Sequence, residues 1–158
     1  MATTKTSTKS TRAARAAENV WTDEERAAMQ ESARERKASS RRGKGDARAE
    51  GEADLRAKIA EMPEAERRMA ERIHAIITDA IPALAPKTYY GMPAWARDGK
   101  VICFFQPASK FKVRYSTFGF QPDANLDDGD MFPIAWAITR LSAADEKRIA
   151  ALVKKAVS

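Results

Sequence analysis

The sequence predicts an α+β fold of two layers, in which an antiparallel meander sheet is covered by helices from the N-terminal and C-terminal parts of the chain. Three short runs rich in β-branched and aromatic residues occupy residues 87–95, 100–106 and 110–115. Turn signals separate them, as they separate strands in such a sheet. Apolar residues recur at helical spacing on both sides of these runs. With 158 residues, 44% of them hydrophobic, the chain can form one domain with a core and extensions.

The first 20 residues are predicted to be a disordered basic tail. Residues 1–17 are rich in Thr, Ser and Ala and contain four basic and no acidic side chains. A transit peptide has a similar composition, but this segment lacks the large apolar residues of an amphipathic face, which favours disorder. Residues 1–50 carry 12 basic and 8 acidic side chains and so supply most of the net charge of +6. This region could bind nucleic acid weakly, through salt-sensitive contacts.

A separate leader helix is predicted for residues 21–38, followed by a flexible linker at residues 39–50. Thr22 and Glu25 have the spacing of a capping box, in which each side chain accepts a hydrogen bond from the other residue's backbone amide. The helix contains few apolar residues, so we expect it to be loosely attached or free in solution. The linker is rich in Ser, Gly and basic residues, which is the composition of a flexible chain.

The domain proper is assigned to residues 51–158 and begins with two helices. The first carries an apolar stripe at Leu55, Ile59 and Met62. The second follows Pro63, a residue that suits the first turn of a helix. Its apolar stripe consists of Met69, Ile73, Ile76, Ile77, Ala80 and Ile81. Both stripes should pack on the sheet.

The sheet is expected to start with a strand over residues 88–97. Gly91 within this strand suggests a bulge, and Pro93 indicates that the strand lies at an edge or a bend. Asp98-Gly99 is a hairpin signal. It leads to a second strand at residues 101–105, whose continuous apolar run predicts burial on both faces.

A third strand is predicted for residues 110–115, where basic and apolar residues alternate. Residues 118–120 should extend the sheet, and residues 131–139 should form a further strand. Ser142 and Asp145 then open a closing helix. The apolar stripe of that helix consists of Ile149, Leu152, Val153, Ala156 and Val157.

The first candidate binding site is the basic face of the third strand. Lys110, Lys112 and Arg114 would line about 13 Å of that strand, because alternate residues lie roughly 7 Å apart. A phosphate or carboxylate would fit there, with Arg114 binding it through two hydrogen bonds. The alternative is an ordinary solvated face whose lysines protect a sheet edge.

The second candidate is an aromatic group around Gly91 and Pro93. Tyr90 and Trp95 would line a small-molecule pocket next to the basic face. Core packing of aromatic residues at a strand bend is the alternative.

Other polar residues give no defined metal or catalytic site. Asp123, Asn125 and Asp127 imitate the start of a calcium loop, but Asp128 stands where such a loop needs glycine, so a capped turn is favoured. His74 is the single histidine and is expected to be partly buried and hydrogen-bonded. Cys103 should behave as a small buried apolar residue. The sequence therefore leaves metal ligands, cofactors and oligomeric state open.

The function predicted from these features is a non-catalytic binding module for a small anionic ligand or metal ion. No phosphate-binding glycine loop, nucleophile elbow or dinucleotide fingerprint is present, which favours a binding role over catalysis. The alternative is a nucleic-acid-associated protein that acts through its basic tail. No apolar run has the length of a membrane span, no signal peptide opens the chain, and there is one cysteine. We therefore expect a cytoplasmic location.

Residues 89–94 (Tyr-Tyr-Gly-Met-Pro-Ala), the Gly99-Lys100 turn and the later Phe132-Pro133 resemble the YdhG-like domain, a domain of unknown function common in bacteria. The resemblance spans residues 55–157, and residues 21–29 resemble an extension that a subset of the family carries. It implies an α+β fold. One branch of the family is described as a frataxin-like iron chaperone, which implies clustered carboxylates. In this chain the acidic residues of the domain are interleaved with arginines instead.

Overall fold

The computed structural model describes residues 20–43 and 46–158, and within them the chain forms a helical layer and one sheet. The helices are α1 (Asp23–Arg41), α2 (Ala47–Ala60), α3 (Glu64–Ala80) and α4 (Ala143–Ala156). The strands are β1 (Ala85–Tyr89), β2 (Met92–Arg97), β3 (Lys100–Gln106), β4 (Ser116–Phe120) and β5 (Ala135–Ile138). Each strand pairs antiparallel with the next along the chain, so the sheet order is β1-β2-β3-β4-β5. The predicted α+β meander is confirmed.

The core lies between one face of the sheet and helices α2, α3 and α4. The predicted stripes supply it, because Leu55 and Ile59 of α2 and Ile73 and Ile77 of α3 are buried. From the sheet, the largest fully buried side chains are Trp95, Phe105 and Phe118. Helix α4 closes the layer with Ile149, Val153 and Ala156.

Both predicted capping boxes form. The Thr22 hydroxyl accepts from the amide of Glu25 at 3.1 Å, and the Glu25 carboxylate accepts from the amide of Thr22 at 2.8 Å. Ser142 and Asp145 repeat the arrangement at the start of α4, at 3.2 and 2.9 Å. These bonds satisfy amides that the first turn of a helix leaves without partners.

The predicted single strand over residues 88–97 is wrong, because the chain reverses at Tyr90 and Gly91. These two residues have φ of 51° and 74°, the left-handed pair of a type I′ turn, and β1 and β2 form a hairpin on either side. Tyrosine is not among the residues that normally signal this turn, so the pair Tyr90-Gly91 suggested a bulge within one strand instead of a turn between two. The hairpin also makes β2 an internal strand. Pro93 is tolerated there because pairing with β3 begins only at Ala94.

The predicted strand over residues 110–115 is also wrong. A short 3-10 turn, Ala108–Lys110, is followed by irregular chain in which Lys112 has φ of 53°, and an extended strand cannot contain that conformation. The Ser116 hydroxyl accepts from the amide of Ala108 and closes this loop, so the strand begins only at Ser116. Val113, predicted to face the core, is 46% exposed.

The last strand is shorter than the predicted residues 131–139. Strand β5 covers Ala135–Ile138 only, and Met131 and Ile134 are exposed before it. The alternation of apolar residues in the sequence is therefore longer than the strand that forms.

Helix α1 is attached to the domain, in contrast to the predicted loose leader helix. It extends to Arg41, and α2 begins at Ala47, so most of the predicted linker at 39–50 is helical. Arg42 forms ion pairs with Glu50 and Asp54 of α2. Of the predicted basic tail, residues 1–19 lie outside the part of the chain that the structure describes.

The attachment of α1 is centred on the β1–β2 turn. The two carboxylate oxygens of Glu35 accept hydrogen bonds from the amides of Tyr90 and Gly91, at 2.9 and 2.7 Å. Glu31 forms ion pairs with Lys58 of α2 at 3.4 Å and with Lys110 at 3.5 Å. We call this set of contacts the clasp, formed by Glu31, Glu35, Lys58, Lys110 and the amides of Tyr90 and Gly91. The sequence could not reveal it, because its members come from four separate segments.

Gly91 gives a direct test of the clasp. A methyl group at this position would overlap the Glu31 carboxylate, whereas one at Gly99, in a turn of the same handedness, would have no atom within 4 Å. Both Gly→Ala changes cost about 1–2 kcal/mol for a left-handed backbone. We expect Gly91→Ala to lower the free energy of unfolding by up to about 1 kcal/mol more than Gly99→Ala, because it displaces the Glu31 carboxylate from its partly exposed ion pairs with Lys58 and Lys110. Equal losses for the two variants in urea unfolding would show that the clasp contributes no stability.

A buried polar pair joins the sheet to α3. The indole nitrogen of Trp95, which is 1% exposed, donates to Nδ1 of His74 at 3.2 Å. An indole nitrogen can only donate, so Nδ1 is the acceptor and the neutral ring carries its proton on Nε2. That nitrogen lies 3.5 Å from Glu52 of α2. The partly buried, hydrogen-bonded histidine that the sequence predicted is confirmed.

The state of His74 predicts a pH dependence of stability. Burial holds the pKa of His74 below its ordinary value near 6.5, although Glu52 opposes part of this shift. The unfolded chain therefore binds a proton first as pH falls. We expect the free energy of unfolding to be at its full value above about pH 6.5 and to decrease below it. Urea unfolding between roughly pH 5 and 7.5 should show this slope in the wild type and a weaker slope in His74→Gln. Identical slopes in both proteins would contradict the assignment.

Candidate functional site

The five residues predicted to bind a ligand do not form one site. Trp95 is buried in the core against His74 and lines no open pocket. Tyr90 lies in the β1–β2 turn, where its ring packs edge-on against Tyr89 with centroids 4.7 Å apart. The predicted aromatic pocket is wrong, because Trp95 faces the helices while Tyr90 is part of the turn at the end of the strand.

The three cations are also separated, because no strand holds them in line. Lys110 is mostly buried and pairs with Glu31, while Arg114 lies over the ring of Tyr115, 5.2 Å from its centroid. Lys112 binds Glu24 of α1 at 2.6 Å, and this bond raises the pKa of Lys112 and lowers the pKa of Glu24. The anions beside Lys110 and Lys112 are thus carboxylates of α1. Binding of an external ligand by these residues stays a prediction.

A different set of residues surrounds an open hollow between β5 and α4. The hollow has a volume of about 250 Å³. Its apolar wall includes Phe118, Ile149 and Leu152, and its polar rim includes Thr139, Arg140 and Arg148 beside Trp136. We call it the arginine cavity. It combines an apolar floor with a few convergent polar groups, as ligand sites commonly do.

The rim of the arginine cavity has an excess of positive charge. Within residues 20–43 and 46–158, neither Arg140 nor Arg148 has a carboxylate oxygen within 4.0 Å. Asp145 also lines the cavity, but Ser142 occupies its Oδ2 through an amide at 2.9 Å and a hydroxyl at 2.6 Å. The hydrogen bonds from Ser142 lower the pKa of Asp145, with smaller contributions from Arg148 and Arg140. One carboxylate that is already engaged thus faces two guanidinium groups.

The aromatic member of the rim is held in place by its neighbours. The Trp136 ring packs edge-on against Phe120, with centroids 5.8 Å apart. The guanidinium of Arg148 lies 5.8 Å from the centroid of the same ring, within reach of a cation–π interaction. The rim therefore presents a flat aromatic surface beside two groups that bind carboxylates and phosphates through paired hydrogen bonds.

Arg140 also borders a second hollow, between the start of α4 and α3. That hollow has a volume of about 250 Å³ and is lined by Arg68, Arg72 and Glu146 among others. Arg72 binds Glu146 through Nε and Nη2, at 2.7 and 3.2 Å, so its charge is compensated. Arg68 pairs with Glu64. Arg140 is therefore shared by the two hollows, and the arginine cavity is the one that has both Arg140 and Arg148 on its rim.

No pattern in the sequence predicted the arginine cavity, because its members come from two strands, a loop and a helix. Trp136 was predicted only to lie in the strand over residues 131–139, and no motif connects Arg140 with Arg148. Trp136 and Arg140 belong to one cavity only because residues of α4 lie beside them in the fold. The available signal in the sequence was that Arg140 and Arg148 lie on either side of the predicted start of the closing helix.

No grouped metal ligands occur in the described ranges, taking three or more His, Cys, Asp or Glu side chains as the criterion. Asn125, in the acidic loop, donates its backbone amide to Ala156 and its side-chain amide to Ser158, so it anchors the end of α4. Cys103 is buried, and burial raises the pKa of its thiol far above the ordinary value. It therefore has the inert character predicted for it.

None of the helices that the structure describes has both the length and the apolar character to cross a membrane. Comparison of the chain with models of protein families found no match. Comparisons with curated proteins and with solved structures found no match either. Membership of the YdhG-like family therefore stays a proposal that depends on the residues quoted for it.

Proposed function

We propose that the protein is a non-catalytic binding module for a small anionic ligand and that the arginine cavity holds it. The observation that carries this proposal is the pair of guanidinium groups, Arg140 and Arg148, which lack carboxylate partners in the described chain and flank an aromatic ring at the mouth of a cavity. Several other basic side chains of the domain, such as Lys110 and Arg72, are paired with acidic ones. A ligand anion would pair with the two guanidinium groups beside the ring.

The shape of the cavity restricts the ligand. A volume of about 250 Å³ accommodates a small molecule with one ring. The apolar floor and the Trp136 face would contact that ring, and a carboxylate or phosphate on it would reach the arginines. Both arginines are exposed to solvent, so each ion pair alone contributes little. Affinity should come from ring contact and paired hydrogen bonds acting together.

Metal-ion binding, the other half of the predicted function, has no support from a group of ligands in the described residues. A cytoplasmic location belongs to the same proposal, because a chain with one buried cysteine does not depend on an oxidising compartment.

The test is titration of the full chain with benzoate and phenyl phosphate, followed by NMR or calorimetry, with benzyl alcohol as the neutral comparison. We expect both anions to bind and the alcohol to bind at least tenfold more weakly. Arg140→Gln and Arg148→Gln should each raise the Kd for the anions by up to about 5-fold, since an exposed charged pair contributes at most about 1 kcal/mol.

Arg114→Gln is the matched control, because it removes the same charge from an exposed arginine outside the cavity. Its Kd should equal that of the wild type. Equal weakening in all three variants would mean that the anions respond only to net charge. If neither benzoate nor phenyl phosphate binds, the proposal is wrong.

A further inference from the structure

Helix α1 is held to the domain mainly by charged contacts. Over its 19 residues, only Ala28 and Ser32 are buried. A helix that buries so little apolar area gains little from the hydrophobic effect. Its attachment depends on the clasp, on the Glu24–Lys112 pair and on Arg42 with α2. An element of this kind opens locally at a lower free energy than the core does.

Three acidic residues of α1 each lie opposite hydrogen-bond donors of the domain. Glu24, Glu31 and Glu35 are spaced by seven and four residues, so they lie on one face of the helix. Each meets a different donor set: Lys112 for Glu24, Lys58 and Lys110 for Glu31, and the turn amides for Glu35. Two consecutive amides in a left-handed turn form a concave anion site. Charge and spacing together therefore define a receptor for a helix with one acidic face.

The connection from α1 to α2 is short in sequence. Five residues, 42–46, separate the end of α1 from the start of α2. Gly43 lies in this connection, with space for a side chain that it does not use. An identical helix from another copy would make the same contacts in the same site, so exchange requires no new interface.

We propose that the clasp and Lys112 form a docking surface for a helix with one acidic face, and that its partner in trans is α1 of a second copy of this chain. Two copies would then exchange α1 reciprocally. The contact within one chain is favoured at low concentration, because a short connection gives a high effective concentration. Exchange becomes dominant when the contact within each chain is made unfavourable and the contact between chains is kept. This inference is independent of the arginine cavity.

Charge reversal provides the test. One variant carries Glu24→Lys and Glu31→Lys, and the other carries Lys110→Glu and Lys112→Glu. In each variant by itself, the domain repels the α1 of the same chain, because like charges then face each other. In a mixture, Glu24 and Glu31 of the second variant meet the lysines of the first, and the reversed pairs are also complementary.

We expect each variant alone to sediment as a monomer, and an equal mixture at about 100 μM to be mostly dimeric in low salt. Dimer should decrease as salt is raised to roughly 0.5 M, which screens exposed pairs. A mixture with Glu64→Lys and Arg68→Glu is the control, because that pair lies within α3. It should remain monomeric.

Circular dichroism and urea unfolding establish that every variant is folded. If a double variant does not unfold cooperatively, the mixture of Glu24→Lys with Lys112→Glu replaces it, since Lys112 is exposed. The same outcome is then expected with a smaller dimer fraction. Folded, monomeric chains in the mixture would overturn the proposal, and dimer formation in the control mixture would do the same.

Discussion

The hydrogen bond from Trp95 to His74 fixes how the sheet meets its helices. A buried indole nitrogen needs an acceptor, and the one it finds is on α3, beneath the centre of the sheet. The bond determines the tautomer of His74 and directs its other nitrogen toward Glu52 on α2. Strand β2, α3 and α2 are therefore held in one relative arrangement by polar contacts inside an otherwise apolar core. Dispersion and burial supply most of the stability, while these contacts give buried polar groups the partners that they need.

The turn between β1 and β2 gives the domain a second kind of interaction, between backbone amides and a carboxylate. The left-handed pair at Tyr90 and Gly91 directs two amides outward, and α1 supplies the carboxylate that they bind. The absence of a side chain at Gly91 leaves room for Glu31 beside them. The turn therefore links local backbone geometry to the position of a whole helix. Because the contacts are charged and partly exposed, they are weaker and more dependent on salt than the core.

The basic residues of the domain differ in what they can do because their environments differ. Lys110 and Lys112 are neutralised by α1, and Arg72 is neutralised by α4. Arg140 and Arg148 are positioned by β5 and α4 around an aromatic ring and have no carboxylate partner in the described chain. A count of charges along the chain cannot distinguish these cases. Pairing depends on which helix lies opposite each side chain.

The sequence by itself determined the fold class, the apolar stripes of α2, α3 and α4, both capping boxes, the Asp98-Gly99 hairpin and the buried strand β3. These features depend on residues close together in the chain, whose periodicity and side-chain chemistry act locally. Tertiary structure decided the rest. The alternation at residues 110–115 looked like a strand, but a bond from Ala108 to Ser116 made it a loop. The clasp and the arginine cavity each join segments that are far apart in sequence, and the same side chains could have paired otherwise. Only the packing of the helices on the sheet chose those neighbours, because contacts between distant segments are set by the whole fold.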